Sequence, residues 1–279
     1  MAEITPVRRT WTEAAPGWRK WRSEFEHQSR AATSLILDRA QLTPGARVLD
    51  LASGTGQPAA SIAQAVGPGG HVFATDIVPE MLLGARDLVG STGLDNLTLL
   101  AADASALPFR ASSFDCVTCR FGLMFFPDVH RALEGIHAVL RPGGRVVFAV
   151  WATGVGNDFH ATTTGVLERF AAPGPAAGSV TDVFKFDAPR NLSTVLEQAG
   201  FRAVEERRQE IPWPWTGSLE DFWDFNLEFR MAFRKLFNSL PVEVRESAKQ
   251  AVLTEVARYY DGNRINLSGQ VIIGSGVRS

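Results

Sequence analysis

The sequence predicts an α/β fold with a doubly wound, mostly parallel sheet of seven strands. Three observations support this. From about residue 46 onward, short apolar runs alternate with segments of helical periodicity, which is the pattern of βαβ units. A glycine-rich turn follows the first apolar run, and acidic residues lie at or near the ends of the first three. Further helical segments precede this core and interrupt its last connection.

The strands and helices can be placed along the chain. The seven candidate strands are RVLDLA, HVFATD, LTLLAAD, FDCVTCRF, RVVFAVW, RAVEERRQEI and GQVIIGSGVR. Core helices are predicted to start at Gln57, Pro79 and Asp128, where the aspartate is a suitable N-cap and RPGG stops its helix. Another helix is predicted near APRNLSTVLEQAG. Two or three helices are predicted between the last two strands.

Composition excludes several classes of protein. The chain has 279 residues, 45% of them hydrophobic, and a net charge of −2, which fits one large domain or a domain with an insertion. Neither nucleic acid nor an anionic membrane is expected as a partner. The start MAEITPVRRTW lacks the apolar core of a signal peptide and no long apolar run follows, so a cytoplasmic location is expected. The oligomeric state stays open.

Cys116 and Cys119 form a C-x-x-C pattern, which can indicate redox chemistry or half of a zinc site. They lie in a predicted buried strand, where residues three apart point to opposite faces. No second Cys or His pair has ligand spacing. We therefore expect two buried thiols and no metal.

The stretch VLDLASGTGQPA, residues 48–59, contains the pattern of a nucleotide-binding loop, G-x-G-x-x-G/A, in GTGQPA. Three acids surround it in the predicted sheet. Asp50 lies in the first strand, Asp76 ends the second at 20 residues beyond Gly56, and Asp103 ends the third. The carboxyl ends of parallel strands form one ligand-binding edge. Asp76 has the position of an acid that bonds ribose hydroxyls.

A dinucleotide leaves the first and third acids without a purpose, and Asp50 would lie near its pyrophosphate. A cationic ligand that carries an ammonium group, a ribose and an adenine would use all three. S-adenosylmethionine has this structure.

Five motifs carry a family resemblance: VLDLASGTG, ATDIVPEML, AADASALPF, FDCVTCRFGLMFFPD and LRPGGRVVFAVW. In their order and spacing they resemble the motifs of class I S-adenosylmethionine-dependent methyltransferases, which have a Rossmann-like fold. The likeness is greatest to the group that includes the ubiquinone/menaquinone C-methyltransferases. It covers about residues 45–151.

The resemblance implies a set of cofactor-binding residues. They are Asp50, Ala52, Ser53, Gly54 and Gly56 around the methionine moiety, Asp76 at the ribose, Ile77 and Met81 beside the adenine, Asp103 and Ala104 at the adenine edge, and Cys119, Arg120 and Phe121 next to the sulfonium. Two departures stand out. Ala52 replaces the first glycine of the loop. Leu123 and Met124 replace an Arg-Asn pair of the quinone-methylating members, which argues against ring C-methylation of quinols.

The chain ends are expected to enclose the acceptor. Four segments are predicted: an N-terminal helical lid (1–44), the cofactor-binding core (45–212), a helical insertion that shapes the substrate cavity (213–264) and the final core strand (265–279). Six of the seven tryptophans lie before the core or in or beside the insertion, so both regions are expected to pack over the same end of the sheet. The predicted cavity residues are Trp11, Trp21, Phe125, Trp151 and Trp223.

The expected reaction is in-line methyl transfer from S-adenosylmethionine to a small apolar or aromatic acceptor, at oxygen or carbon. His160, beyond the fifth strand, is the candidate general base. Three alternatives remain open. These are a methyltransferase-like protein that uses the bound cofactor for a non-methylating reaction, an NAD(P)-dependent oxidoreductase, and a non-catalytic binding or assembly protein.

Overall fold

The computed structural model describes residues 6–153, 156–171 and 183–279. Its centre is a seven-stranded sheet with the strand order β3-β2-β1-β4-β5-β7-β6. The strands are β1 (Arg47–Leu51), β2 (His71–Asp76), β3 (Leu97–Ala101), β4 (Phe114–Arg120), β5 (Leu140–Ala152), β6 (Phe201–Trp215) and β7 (Ile265–Arg278). Strands β1 to β5 pair in parallel, and β7 pairs antiparallel to both β5 and β6. The predicted fold class is confirmed.

The central strands are apolar because helices cover both faces of the sheet. Val48 and Leu49 on β1, Val117 on β4 and Phe148 on β5 have no exposed surface. Both faces of a parallel sheet are usually buried, so its strands read as continuous apolar runs rather than alternating ones. This is why the five parallel strands stand out in the sequence.

Helices flank the sheet and extend beyond it. In the described part of the chain they are α1 (Pro6–Lys20), α2 (Arg22–Gln28), α3 (Arg30–Ala40), α4 (Ala59–Val66), α5 (Met81–Thr92), α6 (Val129–Val139), α7 (Asp158–Thr162), α8 (Thr164–Glu168), α9 (Asn191–Gln198), α10 (Leu219–Phe229), α11 (Met231–Ser239) and α12 (Val242–Ala257). Helices α4 and α5 begin two residues later than predicted. Asp128 is the N-cap of α6, where its side chain accepts from the Arg131 amide.

The connection between β6 and β7 contains three helices, α10 to α12. Strand β6 continues to Trp215, which pairs with Ile265 of β7. Trp213 and Trp215 therefore belong to the sheet, and the predicted insertion boundary at residue 213 is too early. The sequence predicts an earlier strand end because β6 finishes with alternating prolines and tryptophans, and prolines usually indicate the end of a strand. The division of the chain into a lid, a core and an insertion stays a prediction.

The N-terminal helices and the insertion pack against each other, as their tryptophans predicted. The Trp18 ring stacks on Phe229 of α10 with centroids 4.0 Å apart, and the Trp18 Nε1 donates to the Phe229 carbonyl at 3.2 Å. Trp21 lies 6.0 Å from the Trp215 ring. The two regions thus form one helical layer over the carboxyl ends of the strands.

The two cysteines are buried free thiols, as expected. Burial raises the pKa of Cys116 to about 12 and that of Cys119 further. Among the described residues, no group of three or more His, Cys, Asp or Glu side chains is placed to hold a metal ion. In the same residues, no helix combines the length and apolar character needed to cross a membrane.

Candidate active site

A cavity opens at the carboxyl ends of β1, β2 and β4, beneath helix α1. Its empty space, including open solvent at the mouth, is about 960 Å³. Ten of the predicted cofactor-binding residues line it: Ala52, Ser53, Gly54, Asp76, Ile77, Met81, Asp103, Ala104, Arg120 and Phe121. Their role as ligands stays a prediction, but the structure brings them together around one space.

Asp76 is held at the end of β2 by backbone amides. The Gly54 amide donates to its Oδ2 at 3.0 Å, and the Val78 amide donates to its Oδ1 at 2.9 Å. Burial raises the pKa of Asp76 to about 6, although the amides of Val78 and Gly54 counteract this. Each carboxylate oxygen has a second lone pair. The side chain is therefore fixed in position with acceptor capacity left for a ligand in the cavity.

Asp103 lies two residues beyond the end of β3, in a turn, rather than ending the strand as predicted. Its Oδ1 accepts from the Ser105 amide at 2.8 Å and from the Ser105 Oγ at 2.7 Å. The carboxylate is exposed at the mouth of the cavity. The turn orients one oxygen toward Ser105, which leaves Oδ2 for a donor such as an amino group.

Two non-glycine residues of the cavity wall have left-handed backbone conformations. Ala52 has φ +50° and Phe121 has φ +60°, a region in which a bulky residue is an outlier. Close packing accompanies this strain, because a Cβ built on Gly122 would lie 2.5 Å from the Ala52 Cβ and 2.7 Å from the Cys119 Sγ. The loop after β1 and the turn after β4 are thus locked together. Strained backbone of this kind clusters at functional sites.

Aromatic residues form the other end of the cavity. Trp11 and Trp18 project from helix α1, with ring centroids 5.6 Å apart, and Trp11 also packs edge-on against Phe125 at 4.9 Å. Phe126 and Phe25 complete this surface. One cavity therefore combines polar groups at the strand ends with an aromatic roof.

Three predicted cofactor residues do not line the cavity. Asp50 has no exposed surface, and its Oδ1 accepts a 2.6 Å hydrogen bond from the Thr118 Oγ1, while its Oδ2 has no hydrogen-bond partner among the described residues. Its contact with an ammonium group stays a prediction. Gly56 faces helix α5, where a Cβ would lie 3.1 Å from the Ala85 Cα. The Cys119 thiol points into the core beneath Gly122. All three support the cavity wall from behind.

Three of the five predicted substrate-cavity residues also lie elsewhere. Trp21 is buried, and its Nε1 donates to the Glu228 Oε2 at 2.7 Å. Trp223 packs inside the insertion against Phe237. Trp151 stacks on Phe121 with ring centroids 4.5 Å apart and the rings 8° from parallel, and it does not line the cavity. Trp11 and Phe125 line the cavity as predicted.

His160 lies on helix α7, outside the cavity. Its ring packs edge-on against Phe184 at 4.9 Å. Burial and the nearby Arg230 guanidinium lower the pKa of His160 to about 4. The structure thus gives no support for His160 as a general base at this cavity, and that role stays a prediction.

The prediction omitted Trp18 from the cavity, although a signal for it exists. Trp11 and Trp18 are seven residues apart on helix α1, so they lie on the same face, whereas Trp21 lies just beyond the end of that helix at Lys20. Phe25 is seven residues beyond Trp18 but lies on the separate helix α2, and Ser105 and Phe126 had no spacing signal. Their approach to the cavity depends on how α2 and the loops after β3 and β4 pack.

The cavity presents hydrogen-bond acceptors for hydroxyl and amino groups. Two polar residues at the strand ends are the carboxylates Asp76 and Asp103, and a third is the cation Arg120. Apolar Ile77 and Met81 lie beside them. The strand order, with a single antiparallel seventh strand, is that of the Rossmann-like fold of class I methyltransferases.

Comparisons with known proteins agree. The model of the ubiE/COQ5 methyltransferase family matches residues 25–154. The ubiquinone/menaquinone biosynthesis C-methyltransferase UbiE of Hahella chejuensis is 34% identical over 163 residues, 58% of each chain. UbiE of Escherichia coli O1:K1 / APEC is 31% identical over 182 residues, 61% of this chain and 71% of the relative.

A solved structure supports the fold. The YcgJ protein of Bacillus subtilis superimposes with a TM-score of 0.55 at 18% identity, over 89% of this chain and 98% of that one. The chain belongs to the ubiE/COQ5 methyltransferase family, and its cofactor is S-adenosylmethionine.

Proposed function

We propose that this protein transfers a methyl group from S-adenosylmethionine to a small apolar or aromatic acceptor in the cytoplasm. The observation that carries the proposal is one cavity with two kinds of wall. Carboxylates at strand ends suit the nucleoside, and the aromatic surface of Trp11, Trp18 and Phe125 suits an apolar acceptor. Ligand pockets of this kind are mostly apolar, with a few polar groups that fix orientation.

The polar wall of the cavity, formed by Asp76 and Asp103, would bind and orient the nucleoside of the cofactor. Asp76 would accept hydrogen bonds from the ribose hydroxyls, and the exposed oxygen of Asp103 would accept from the adenine amino group. Ile77 and Met81 would supply apolar surface beside the adenine. When bound, S-adenosylmethionine supplies an activated methyl group on its sulfonium, so the chain itself needs to provide only position and a dry environment.

The aromatic wall excludes water from the acceptor. Helix α1 is fastened over the cavity by Arg19, whose Nε lies 2.7 Å from the Asp87 Oδ2 on α5, and by Lys20, whose Nζ lies 2.7 Å from the Glu228 Oε2 on α10. We infer that residues 1–44 act as a lid over the cavity. The exposed ion pairs add little to its attachment, which depends mainly on ring contacts such as the stack of Trp18 on Phe229. Helices α10 to α12 then pack behind the aromatic wall, where α10 contacts α1 through Phe229 and Trp18.

No histidine lies among the described residues that line the cavity. An acceptor that is already nucleophilic, such as an ionised phenol or an activated carbon, needs no strong base from the protein. Direct in-line displacement at oxygen or carbon fits this wall. Leu123 and Met124 are buried and do not line the cavity, so the acceptor-facing residues after β4 are Phe125 and Phe126.

Product analysis tests the proposal. The purified protein is incubated with S-adenosylmethionine and a panel of phenols, polyketide-like aromatics and apolar alcohols, and products are analysed by mass spectrometry. Methyl transfer yields S-adenosylhomocysteine and a product heavier by one methylene in equal amounts. Asp76→Ala serves as the inactive control. A product of unchanged mass, or consumption of an acceptor without S-adenosylhomocysteine, would overturn the methyl-transfer assignment.

A further inference from the structure

A buried aromatic cluster lies behind the part of the cavity wall that Phe25 and Phe121 form. Trp213 is its central member, and its ring centroid lies 4.9 Å from that of Trp151, 5.4 Å from Phe159, 6.0 Å from Phe25 and 6.3 Å from Phe121. Phe25 and Phe121 line the cavity, whereas the other three rings do not. One layer of side chains therefore separates Trp213 from the cavity.

Trp213 buries a hydrogen-bond donor. The residue is 1% exposed, and its Nε1 has no hydrogen-bond partner among the described residues. Two other buried tryptophans differ from it, because Trp21 donates to the Glu228 Oε2 at 2.7 Å and Trp215 donates to the Ser218 carbonyl at 2.9 Å. Buried indole N–H groups usually find an acceptor. The Trp213 indole therefore points to an acceptor atom on a ligand.

Gln28 brings a second unpartnered polar group to the edge of the cluster. It is 1% exposed, and neither its Oε1 nor its Nε2 has a hydrogen-bond partner in the described part of the chain. On helix α2 it follows Phe25 by three residues, so both side chains share one face of the helix. Trp21 lies against Trp215 and Phe25 lies against Trp213. This face of α2 therefore follows strand β6, and Gln28 continues it.

A partly buried guanidinium makes the surroundings of the cluster electropositive. Arg230 lies 4.3 Å from the Phe159 ring centroid, and its hydrogen bonds go to the neutral side chains of Thr163, Thr164 and Asn226. Burial lowers the pKa of Arg230 only to about 9, so the group is charged at neutral pH. A positive charge favours an electron-rich atom nearby. A ligand oxygen with free lone pairs therefore suits the cluster better than a second donor.

We propose that Trp213 is a specificity residue for the acceptor: its Nε1 donates to an oxygen that the acceptor carries away from the atom to be methylated, and the Gln28 amide assists. This rests on the proposed function, because it describes the acceptor of that same reaction. The acceptor reaches Trp213 between Phe25 and Phe121. Entry requires the Phe121 ring to turn, and its φ of +60° is the kind of strained backbone found at ligand clamps.

Matched pairs of small aromatic probes test this without turnover. Acetophenone and α-methylstyrene differ by a carbonyl against a methylene group, and phenol and toluene differ by a hydroxyl against a methyl group. Each probe is titrated into the full-length protein saturated with S-adenosylhomocysteine, with the tryptophan indoles labelled with ¹⁵N. The indole N–H signals give both the dissociation constants and the signature of a hydrogen bond. The Trp213 signal is identified by its loss in Trp213→Phe.

We expect the wild-type protein to bind the oxygen-bearing probe of at least one pair about tenfold more tightly than its hydrocarbon partner. A preference in the first pair identifies a carbonyl oxygen, and one in the second pair a hydroxyl. The Trp213 indole proton shifts downfield with the preferred probe alone. Trp213→Phe keeps a ring in place and abolishes the preference. Trp151→Phe is the matched control, because it removes an indole nitrogen from the neighbouring ring and should keep the preference.

The same preference in Trp213→Phe as in the wild type, or no preference in the wild type, would overturn the proposal. If Trp213→Phe does not fold, Gln28→Met decides: a reduced preference supports the proposal, and an unchanged one overturns it. Failure of S-adenosylhomocysteine to bind the wild type would contradict the proposed function. Binding of S-adenosylhomocysteine without any preference for oxygen would contradict this inference alone.

Discussion

The two walls of the cavity are built by different means. At the strand ends, backbone amides of Gly54 and Val78 fix the Asp76 carboxylate at 3.0 and 2.9 Å. Under helix α1, side-chain rings fix one another, as in the 4.0 Å stack of Trp18 on Phe229. The first wall is set by the course of the chain, and the second by the packing of helices distant in sequence.

Because of this difference, the wall at the strand ends suits specific recognition of a ligand, and the aromatic wall suits enclosure of a ligand. Carboxylates placed by backbone geometry specify hydrogen-bond donors on a ligand, which restricts its chemistry. Aromatic rings contribute apolar area with little directional demand. Under the proposed function, the sheet edge would restrict the cofactor closely, whereas the helical layer would restrict the acceptor only to a small apolar or aromatic molecule. Four substitutions test how independent these regions are.

Trp223→Ala should have the largest effect on stability. Trp223 is 4% exposed and packs against Phe233 and Phe237 within the insertion, so truncation should cost about 3 kcal/mol. We expect urea unfolding to show this loss, while calorimetry shows unchanged affinity for S-adenosylhomocysteine. Trp11→Ala is the matched control, since it should cost less stability and raise the acceptor KM. A large loss of cofactor affinity in Trp223→Ala would mean that the two regions are coupled.

Asp50→Asn should stabilise the protein above pH 6. Burial raises the pKa of Asp50 to about 6, so the folded protein holds a proton that the unfolded chain releases near pH 4. Wild-type stability therefore falls as pH rises from about 4 to 6 through this group.

The asparagine variant lacks that loss and keeps an acceptor for Thr118. Its advantage should be about 1–2 kcal/mol at pH 7.5 and should vanish below pH 4. Thermal unfolding across pH 4 to 8 measures the difference. An Asp50→Asn variant that is less stable than wild type at pH 7.5 would indicate that the charge has a favourable partner.

Ala52→Gly should give a smaller gain. Ala52 has φ +50°, where an L-residue is strained by roughly 1–2 kcal/mol, but glycine also gains entropy in the unfolded chain. The net increase in unfolding free energy should be below about 1 kcal/mol by denaturant titration. Unchanged or lower stability would show that packing against Gly122 outweighs the strain.

His160→Gln should have the smallest effect. The ring lies outside the cavity, and its pKa of about 4 makes it neutral across the physiological range. Once an acceptor is known, the rate of methyl transfer should stay within about twofold of wild type from pH 6 to 8. A tenfold loss that grows at low pH would restore His160 as a candidate base.

The fold was predictable because each local signal agreed with the others. Buried parallel strands gave continuous apolar runs, and Asp128 marked a helix start through its capping side chain. The end of β6 was missed because Pro212 and Pro214 lie in the strand, where such residues are tolerated at an edge position.

The site was predictable to the extent that backbone geometry determined it. Asp76 and Asp103 reach the cavity because strand direction places them there. Asp50 could not be distinguished from them by position, since its burial depends on a hydrogen bond with Thr118, 68 residues away. The predicted placement of Trp21 and Trp223 in the substrate cavity differs from the structure for a related reason. An aromatic residue on a helix has equal apolar character toward a core and toward a cavity, and only tertiary packing decides between them.

The central claim is that the acids at the sheet edge recognise an S-adenosyl nucleoside, with Asp76 in contact and Asp50 sealed. The most direct test is calorimetric titration of S-adenosylhomocysteine and NAD(P)H, in parallel, into wild type, Asp76→Asn and Asp50→Asn. We predict binding of S-adenosylhomocysteine alone, weakened about 100-fold by Asp76→Asn and unchanged by Asp50→Asn. Binding of NAD(P)H alone, or an equal loss in both variants, would contradict the claim.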